Sequence, residues 1–125
     1  MLSHVNLGTN DLEKAEKFYD SLTAIFGGTQ SYKSNRTILY SIGEGSGKIA
    51  INIPFDGEQA SSGNGTMIAL SASNKEQVDE VYKKAIELGG SCEGAPGKRM
   101  GGAMYAAYFR DLDANKFGIF CAGNQ

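Results

Sequence analysis

The chain repeats itself, and that repeat limits what it can fold into. His4-Val5-Asn6-Leu7 alternates polar and apolar residues, as a half-buried strand does, and is followed by a helix-like stretch. There Leu12, Ala15, Phe18, Leu22 and Ile25 or Phe26 recur at helical spacing, with Lys14, Glu16 and Lys17 on the opposite face. Asn10 with Glu13 supplies an N-terminal capping box, and Gly27-Gly28 the stop. The pattern returns after residue 65. Thr66-Met67-Ile68-Ala69-Leu70 is strand-like, Ser73 with Glu76 forms a second box, and Val78, Val81, Tyr82, Ala85 and Ile86 make a second stripe, closed by Gly89-Gly90.

Laid on each other, His4-Val5-Asn6-Leu7 matches Met67-Ile68-Ala69-Leu70, and Phe18-Tyr19 matches Val81-Tyr82. Phe26-Gly27-Gly28 falls on Leu88-Gly89-Gly90 after a one-residue slip. Farther on, Leu39-Tyr40 lies over Ala107-Tyr108, and Lys48-Ile49-Ala50-Ile51 over Lys116-Phe117-Gly118-Ile119. The chain is an internal duplication of a β-α-β-β-β unit. Strands are predicted near 1–8, 29–34, 36–43 and 47–54, and again near 64–72, 91–95, 103–111 and 115–122. Module one is 1–55, module two is 66–125, and the Gly- and Ser-rich stretch 56–65 links them. A four-stranded sheet with one helix leaves its other face uncovered. The expected class is therefore α+β, with two tandem βαβββ modules forming a curled mixed sheet around a shared cavity.

Composition removes several function classes. The 125 residues are the size of one ordinary domain. Twelve Lys and Arg against 14 Asp and Glu leave a net charge of −2 with no basic cluster, which argues against nucleic acid as a partner. No run approaches the ~18–20 apolar residues that span a bilayer, so no membrane partner is expected either. Met1-Leu2-Ser3-His4 reads as the start of a strand rather than an export signal, so the expected compartment is the cytoplasm. Cys92 and Cys121 lack metal-ligand spacing and read as reduced, buried thiols.

Individual residues carry weaker signals. His4 is the sole histidine, a ligand donor or general base in one reading and an ordinary strand residue in the other. Tyr40, Tyr105 and Tyr108 are on strands that line or flank the cavity, and alternation puts Tyr105 and Tyr108 on opposite faces. Lys98 and Arg99 are placed on a loop over the cavity mouth, with Met100-Gly101-Gly102 giving it mobility, where they can clamp an anionic group or simply be solvated. Gly43-Glu44-Gly45-Ser46-Gly47-Lys48 fails as a phosphate loop, since Ile42 and Ile49 occupy positions that need Gly and Ser or Thr, and it reads as a hairpin turn.

The opening His4-Val5-x-Leu7-x-x-x-Asp11-Leu12-x-x-Ala15-x-x-Phe18-Tyr19 resembles the first-module signature of the glyoxalase, bleomycin-resistance-protein and extradiol-dioxygenase family, the vicinal-oxygen-chelate superfamily. Asp111-Leu112-Asp113-Ala114-Asn115 is similar to the Asp-Pro-Asp-Gly-Asn turn before its last strand, and the resemblance extends over essentially the whole chain. It implies a site in which four side chains, one from the first and one from the last strand of each module, hold a divalent ion as a Lewis acid. Carried over residue by residue, those positions are His4, Ala50, Met67 and Gly118. Only His4 suits such an ion, and an amide oxygen from Asn52 brings the count to two, where three or four are normal.

The expectation is therefore a protein with no metal and no cofactor. Its function is expected to be small-molecule binding of the bleomycin-resistance type. The expected binding residues are His4, Ala50, Asn52, Met67 and Gly118 at or beside the former ligand positions, Tyr40 and Tyr105 from the strands, and Arg99 and Met100 from the loop. The alternative is a glyoxalase-type lyase or isomerase with His4 as its catalytic residue, or with a metal site placed elsewhere. The resemblance also implies a homodimer.

Overall fold

The computed structural model describes residues 1–43 and 47–124, so 44–46, in the expected hairpin turn at Gly43–Lys48, lie outside the described residues. The chain divides into two compact units, Met1–Ser62 and Gly63–Gln125. In the first, β1 (His4–Gly8) is followed by α1 (Leu12–Ala24), β2 (Thr29–Lys33), β3 (Thr37–Ser41) and β4 (Lys48–Asn52). In the second, β5 (Ile68–Ser71) leads to α2 (Lys75–Glu87), β6 (Ser91–Arg99), a 3-10 turn (Met100–Gly102), β7 (Met104–Arg110) and β8 (Lys116–Ala122). The strand orders are β1-β4-β3-β2 and β5-β8-β7-β6, the same arrangement twice. In each sheet the first and last strands of the unit run parallel, and the other neighbours are antiparallel. Each unit is the predicted βαβββ module.

Each helix covers one face of its own sheet. Ala15, Phe18, Tyr19 and Leu22 of α1 are buried, as are Ile38, Tyr40, Ile49 and Ile51 of the first sheet. The Tyr19 and Tyr40 rings lie 6.0 Å apart. In the second unit Val78, Val81 and Ala85 of α2 are buried, as are Ala107, Phe109, Phe117 and Ile119 of the sheet. There Phe109 and Phe117 stack at 5.4 Å. Burial of this kind stabilises by about 1.5–3 kcal/mol for each large side chain, and it fixes which way every strand residue points. On the exposed flank of α1, the Glu16 carboxylate accepts from Lys33 Nζ at 2.8 Å and Gln30 Nε2 at 2.7 Å, which holds its pKa below the ordinary value.

Several expectations shift by one residue. The N-cap of α1 is Asp11, whose side chain accepts from Lys14 N–H, while Asn10 accepts from Ala60 N–H at 2.6 Å. The N-cap of α2 is Asn74 rather than Ser73, with Gln77 accepting from Ser73 N–H. The repeat itself slips by one between β3 and β7. Leu39 pairs with Ala50 and Tyr40 with Ile49, whereas Tyr108 pairs with Gly118 and Phe109 with Phe117. Since Ala50 and Gly118 are equivalent, Leu39-Tyr40 corresponds to Tyr108-Phe109, not to Ala107-Tyr108.

β6 is longer than predicted. Pairing with β7 continues to Arg99 through irregularities at Gly94 and Gly97, so Lys98 and Arg99 are strand residues rather than loop residues. An edge strand accommodates Gly and Pro this way because its outer amides need no ladder partner. Cys92, on the same strand, is exposed instead of buried, whereas Cys121 is buried. Among the described residues no helix is long and apolar enough to cross a membrane.

Candidate ligand-binding site

Strand pairing sorts the site residues by face, because paired residues point the same way and neighbours along a strand point oppositely. On the helix-free face of the first sheet, His4 pairs with Lys48, Asn6 with Ala50 and Gly8 with Asn52. Thr37 and Leu39 join them from β3 through Asn52 and Ala50. His4 is exposed at the start of β1, its Nδ1 lying 3.0 Å from Ser3 Oγ. Ala50 is buried at the centre. Asn52 is the middle of a polar chain, accepting from Thr37 Oγ1 at 2.6 Å and donating to Asn6 Oδ1 at 3.1 Å.

That chain floors a cleft of about 750 Å³ contained in the first unit. Its walls include Arg36 and the segment after β4, with Pro54 and Phe55 apolar and Gln59 polar. Arg36 donates to the Pro54 carbonyl at 2.5 Å, which holds the wall against the sheet. The volume and the mixture of apolar wall and polar floor suit a small ligand. Of the expected binding residues, Asn52 lines this cleft and His4 and Ala50 do not. The floor residue Asn6 escaped sequence reading, because no local signal gives the pairing of β1 with β4 that sets it beside Ala50.

Tyr40 is a correction. It is on the helix side of the sheet, 1% exposed, and its hydroxyl donates to Asp20 Oδ1 at 2.8 Å. Burial, reinforced by the Asp20 carboxylate, pushes its phenol pKa far up. It is core and cannot line the open face.

On the helix-free face of the second sheet, Gly118 pairs with Ala69 and Tyr108. Met67 precedes β5 and is exposed. A Cβ built on Gly118 would lie 3.2 Å from Met67 Sδ and 2.5 Å from Cε1 of Phe120, so Met67 is a neighbour of Gly118 and Phe120 crowds the same spot. Tyr105 is a second correction. It faces α2, where its hydroxyl donates to Asp79 Oδ1 at 2.7 Å and the bond raises its pKa. Tyr108, its alternate, is the tyrosine on the open face. There Arg99 lies 5.6 Å and Lys116 5.7 Å from the Tyr108 ring centre. Met100 stands on the 3-10 turn at φ 54° and is 73% exposed.

The four positions that the resemblance assigns to a metal therefore carry an imidazole, a methyl group, a thioether and a hydrogen atom. That donor set does not fit a divalent ion. Among the described residues no group of three or more His, Cys, Asp or Glu is placed to hold one.

The model of the Glyoxalase/Bleomycin resistance protein/Dioxygenase superfamily matches residues 1–119. The chain belongs to this superfamily. A crystal structure of a glyoxalase/bleomycin resistance protein from Albidiferax ferrireducens is 36% identical, with a TM-score of 0.86 over 96% of this chain and 97% of that one. The fosfomycin resistance protein FosX from Listeria monocytogenes is 26% identical, with a TM-score of 0.72 over 96% and 91% of the two chains. A putative glyoxalase from Bacillus halodurans, at 23% identity and a TM-score of 0.74 over 96% and 94%, shares the fold. No curated protein matches the chain. Membership in the superfamily accounts for the duplicated module and for the Asp111–Asn115 turn, and it leaves the chemistry to the side chains.

Proposed function

We propose that this superfamily member is a metal-free small-molecule-binding protein of the bleomycin-resistance type. The observation that carries the reading is the pairing register. Asn6–Ala50–Leu39 and Ala69–Gly118–Tyr108 are equivalent triplets, and the residue central to each offers no donor. Phe120 beside Gly118 supports it further, because the space for a ligating side chain is taken by an aromatic ring. The cleft floored by Asn6, Thr37 and Asn52 adds a mixed polar and apolar surface of ligand size. A lyase or isomerase acting through His4 has no comparable support, since His4 is exposed and its bond is to the Ser3 hydroxyl rather than to an orienting carboxylate.

A FosX variant has been crystallised with Mn(II) and a dihydroxypropylphosphonic acid, so a metal-bearing relative is a natural control. The test is elemental analysis of protein stripped with chelator, reloaded with Ni, Zn, Mn or Fe and dialysed, paired with thermal unfolding. We expect substoichiometric metal and an unchanged Tm. An ion at a hundred times its Kd stabilises by about 2.7 kcal/mol, so binding cannot pass unseen. One metal retained per chain overturns the reading.

A further inference from the structure

We propose that the helix-free face of the second sheet is an anion clamp, in which Tyr108, Arg99 and Lys116 bind the carboxylate or phosph(on)ate group of a small organic ligand. It goes beyond the cleft of the first unit by placing a ligand surface on the second, and it rests on the small-molecule-binding reading above. Tyr108 stands on β7 between two cations, Arg99 reaching it from β6 and Lys116 from β8. The guanidinium is seated by the backbone. It donates to the Ala95 carbonyl at 2.7 Å and the Lys98 carbonyl at 3.1 Å.

Two glycines make that seat. A Cβ on Gly94 would stand 3.3 Å from one guanidinium nitrogen and 3.1 Å from the Tyr108 ring, and a Cβ on Gly97 would stand 3.0 Å from the other nitrogen. The irregularities in β6 at these glycines let the arginine fold back along its own strand and lie over the ring.

Carbonyls orient a guanidinium without cancelling its charge, and the fork keeps further donors to offer. Among the described residues no carboxylate pairs with Arg99 or Lys116, whereas Arg110 nearby is matched by Glu93 at 2.9 Å. Two unneutralised cations therefore flank a phenol on one face of a chain whose net charge is −2. Phe120, edge-on to Tyr108 at 5.5 Å, and Met67 border the same place with apolar surface for the body of the ligand. Such a surface favours an anion carried on an apolar group over a neutral or cationic one.

The experiment is thermal shift and calorimetric titration of the full chain in Tris-chloride, using phenylphosphonate and benzoate as probes and benzyl alcohol and benzylamine as controls. We expect both anions to bind saturably and more weakly as salt is added, and the controls to have no effect. Phenylphosphonate binding alone assigns the clamp to phosphate-type groups, and benzoate binding alone assigns it to carboxylates. Arg99→Gln weakens anion binding about tenfold, as loss of a charge-assisted hydrogen bond does, and Lys116→Gln weakens it less. Tyr108→Phe, which keeps the ring, separates loss of the hydroxyl from loss of packing. The proposal is overturned if the controls bind as well as the anions. It is equally overturned if Arg99→Gln and Lys116→Gln bind undiminished, or if neither anion binds at about 10 mM, weaker than any useful site. Metal retention overturns the metal-free reading alone, so the two failures are distinguishable.

Discussion

Phe120 occupies the place a side chain on Gly118 would need, its Cε1 standing 2.5 Å from where that Cβ would be. Gly118 is thus held as glycine by its neighbour. Gly118→Ala should destabilise by about 1–3 kcal/mol through overpacking. In the background of Phe120→Ala, which clears the space, the same substitution should cost much less. A double-mutant cycle in urea measures the coupling, and purely additive effects would show that the ring does not fill this space in solution.

Tyr40 should make stability depend on pH at the alkaline end. Burial, then the bond to Asp20, raise its phenol pKa above the ordinary value. The folded state therefore holds the proton after an unfolded tyrosine has lost it near pH 10. The contribution is complete below that pH and declines as pH rises beyond it. Tyr40→Phe loses a hydrogen bond worth about 1 kcal/mol at neutral pH. It also lacks the alkaline decline, so its stability deficit against the wild type should narrow between pH 8 and pH 10.5 in denaturant titrations. A constant deficit would count against the buried phenol as its source.

Gly28 and Gly90 do the same job in the two modules, each donating its N–H at 2.8 Å to a carbonyl in the last turn of the preceding helix. A Cβ on Gly90 would meet the Arg110 carbonyl oxygen at 2.6 Å and that of Ala85 at 2.8 Å. At Gly28 the nearest carbonyl oxygens are those of Thr23 at 2.9 Å and Ser41 at 3.1 Å. Backbone oxygens in a helix end and a strand cannot step aside cheaply. Both alanine variants should lose stability, by about 1–3 kcal/mol, and Gly90→Ala should lose more. Thermal unfolding of the pair checks the ranking.

The face of each strand was legible where the repeat was anchored on both sides. Lys48-Ile49-Ala50-Ile51 and Lys116-Phe117-Gly118-Ile119 hold the same register in both sheets, which is why Ala50 and Gly118 could be paired from sequence. The alignment of Leu39-Tyr40 with Ala107-Tyr108 sets one tyrosine on the other, but a slip of one residue exchanges the faces of a strand. That slip exchanges core and cavity at Tyr40, and it hides the neighbourhood of Tyr108, where Arg99 reads as a loop cation and Lys116 carries no signal at all. The caps missed by one for a related reason: Asn10 and Asp11, like Ser73 and Asn74, are adjacent residues with equal capping chemistry. Tertiary contacts decide between them, as the Asn10 bond to Ala60 shows. Gly94 to Gly97 read as the end of a strand, and no local signal says that an edge strand will carry them as bulges.

The turn before β8 should respond to two substitutions with opposite signs. Asp111 is buried, and its Oδ1 accepts from Asp113 N–H at 2.9 Å and Asn115 N–H at 2.8 Å, while its Oδ2 accepts from Asn115 Nδ2 at 2.9 Å. Asp111→Ala removes the acceptor of all three bonds and should cost about 2–4 kcal/mol. Three residues on, Ala114 stands at φ 67°, where its own Cβ crowds the backbone. That conformation costs a non-glycine residue about 1–2 kcal/mol, and glycine gives back only part of the difference through its freer unfolded chain. Ala114→Gly should therefore gain up to about 1 kcal/mol while Asp111→Ala loses stability. Urea midpoints of both variants decide it. A loss on Ala114→Gly would mean that the turn tolerates the left-handed alanine without strain, and that the Asp111 bonds alone set its shape.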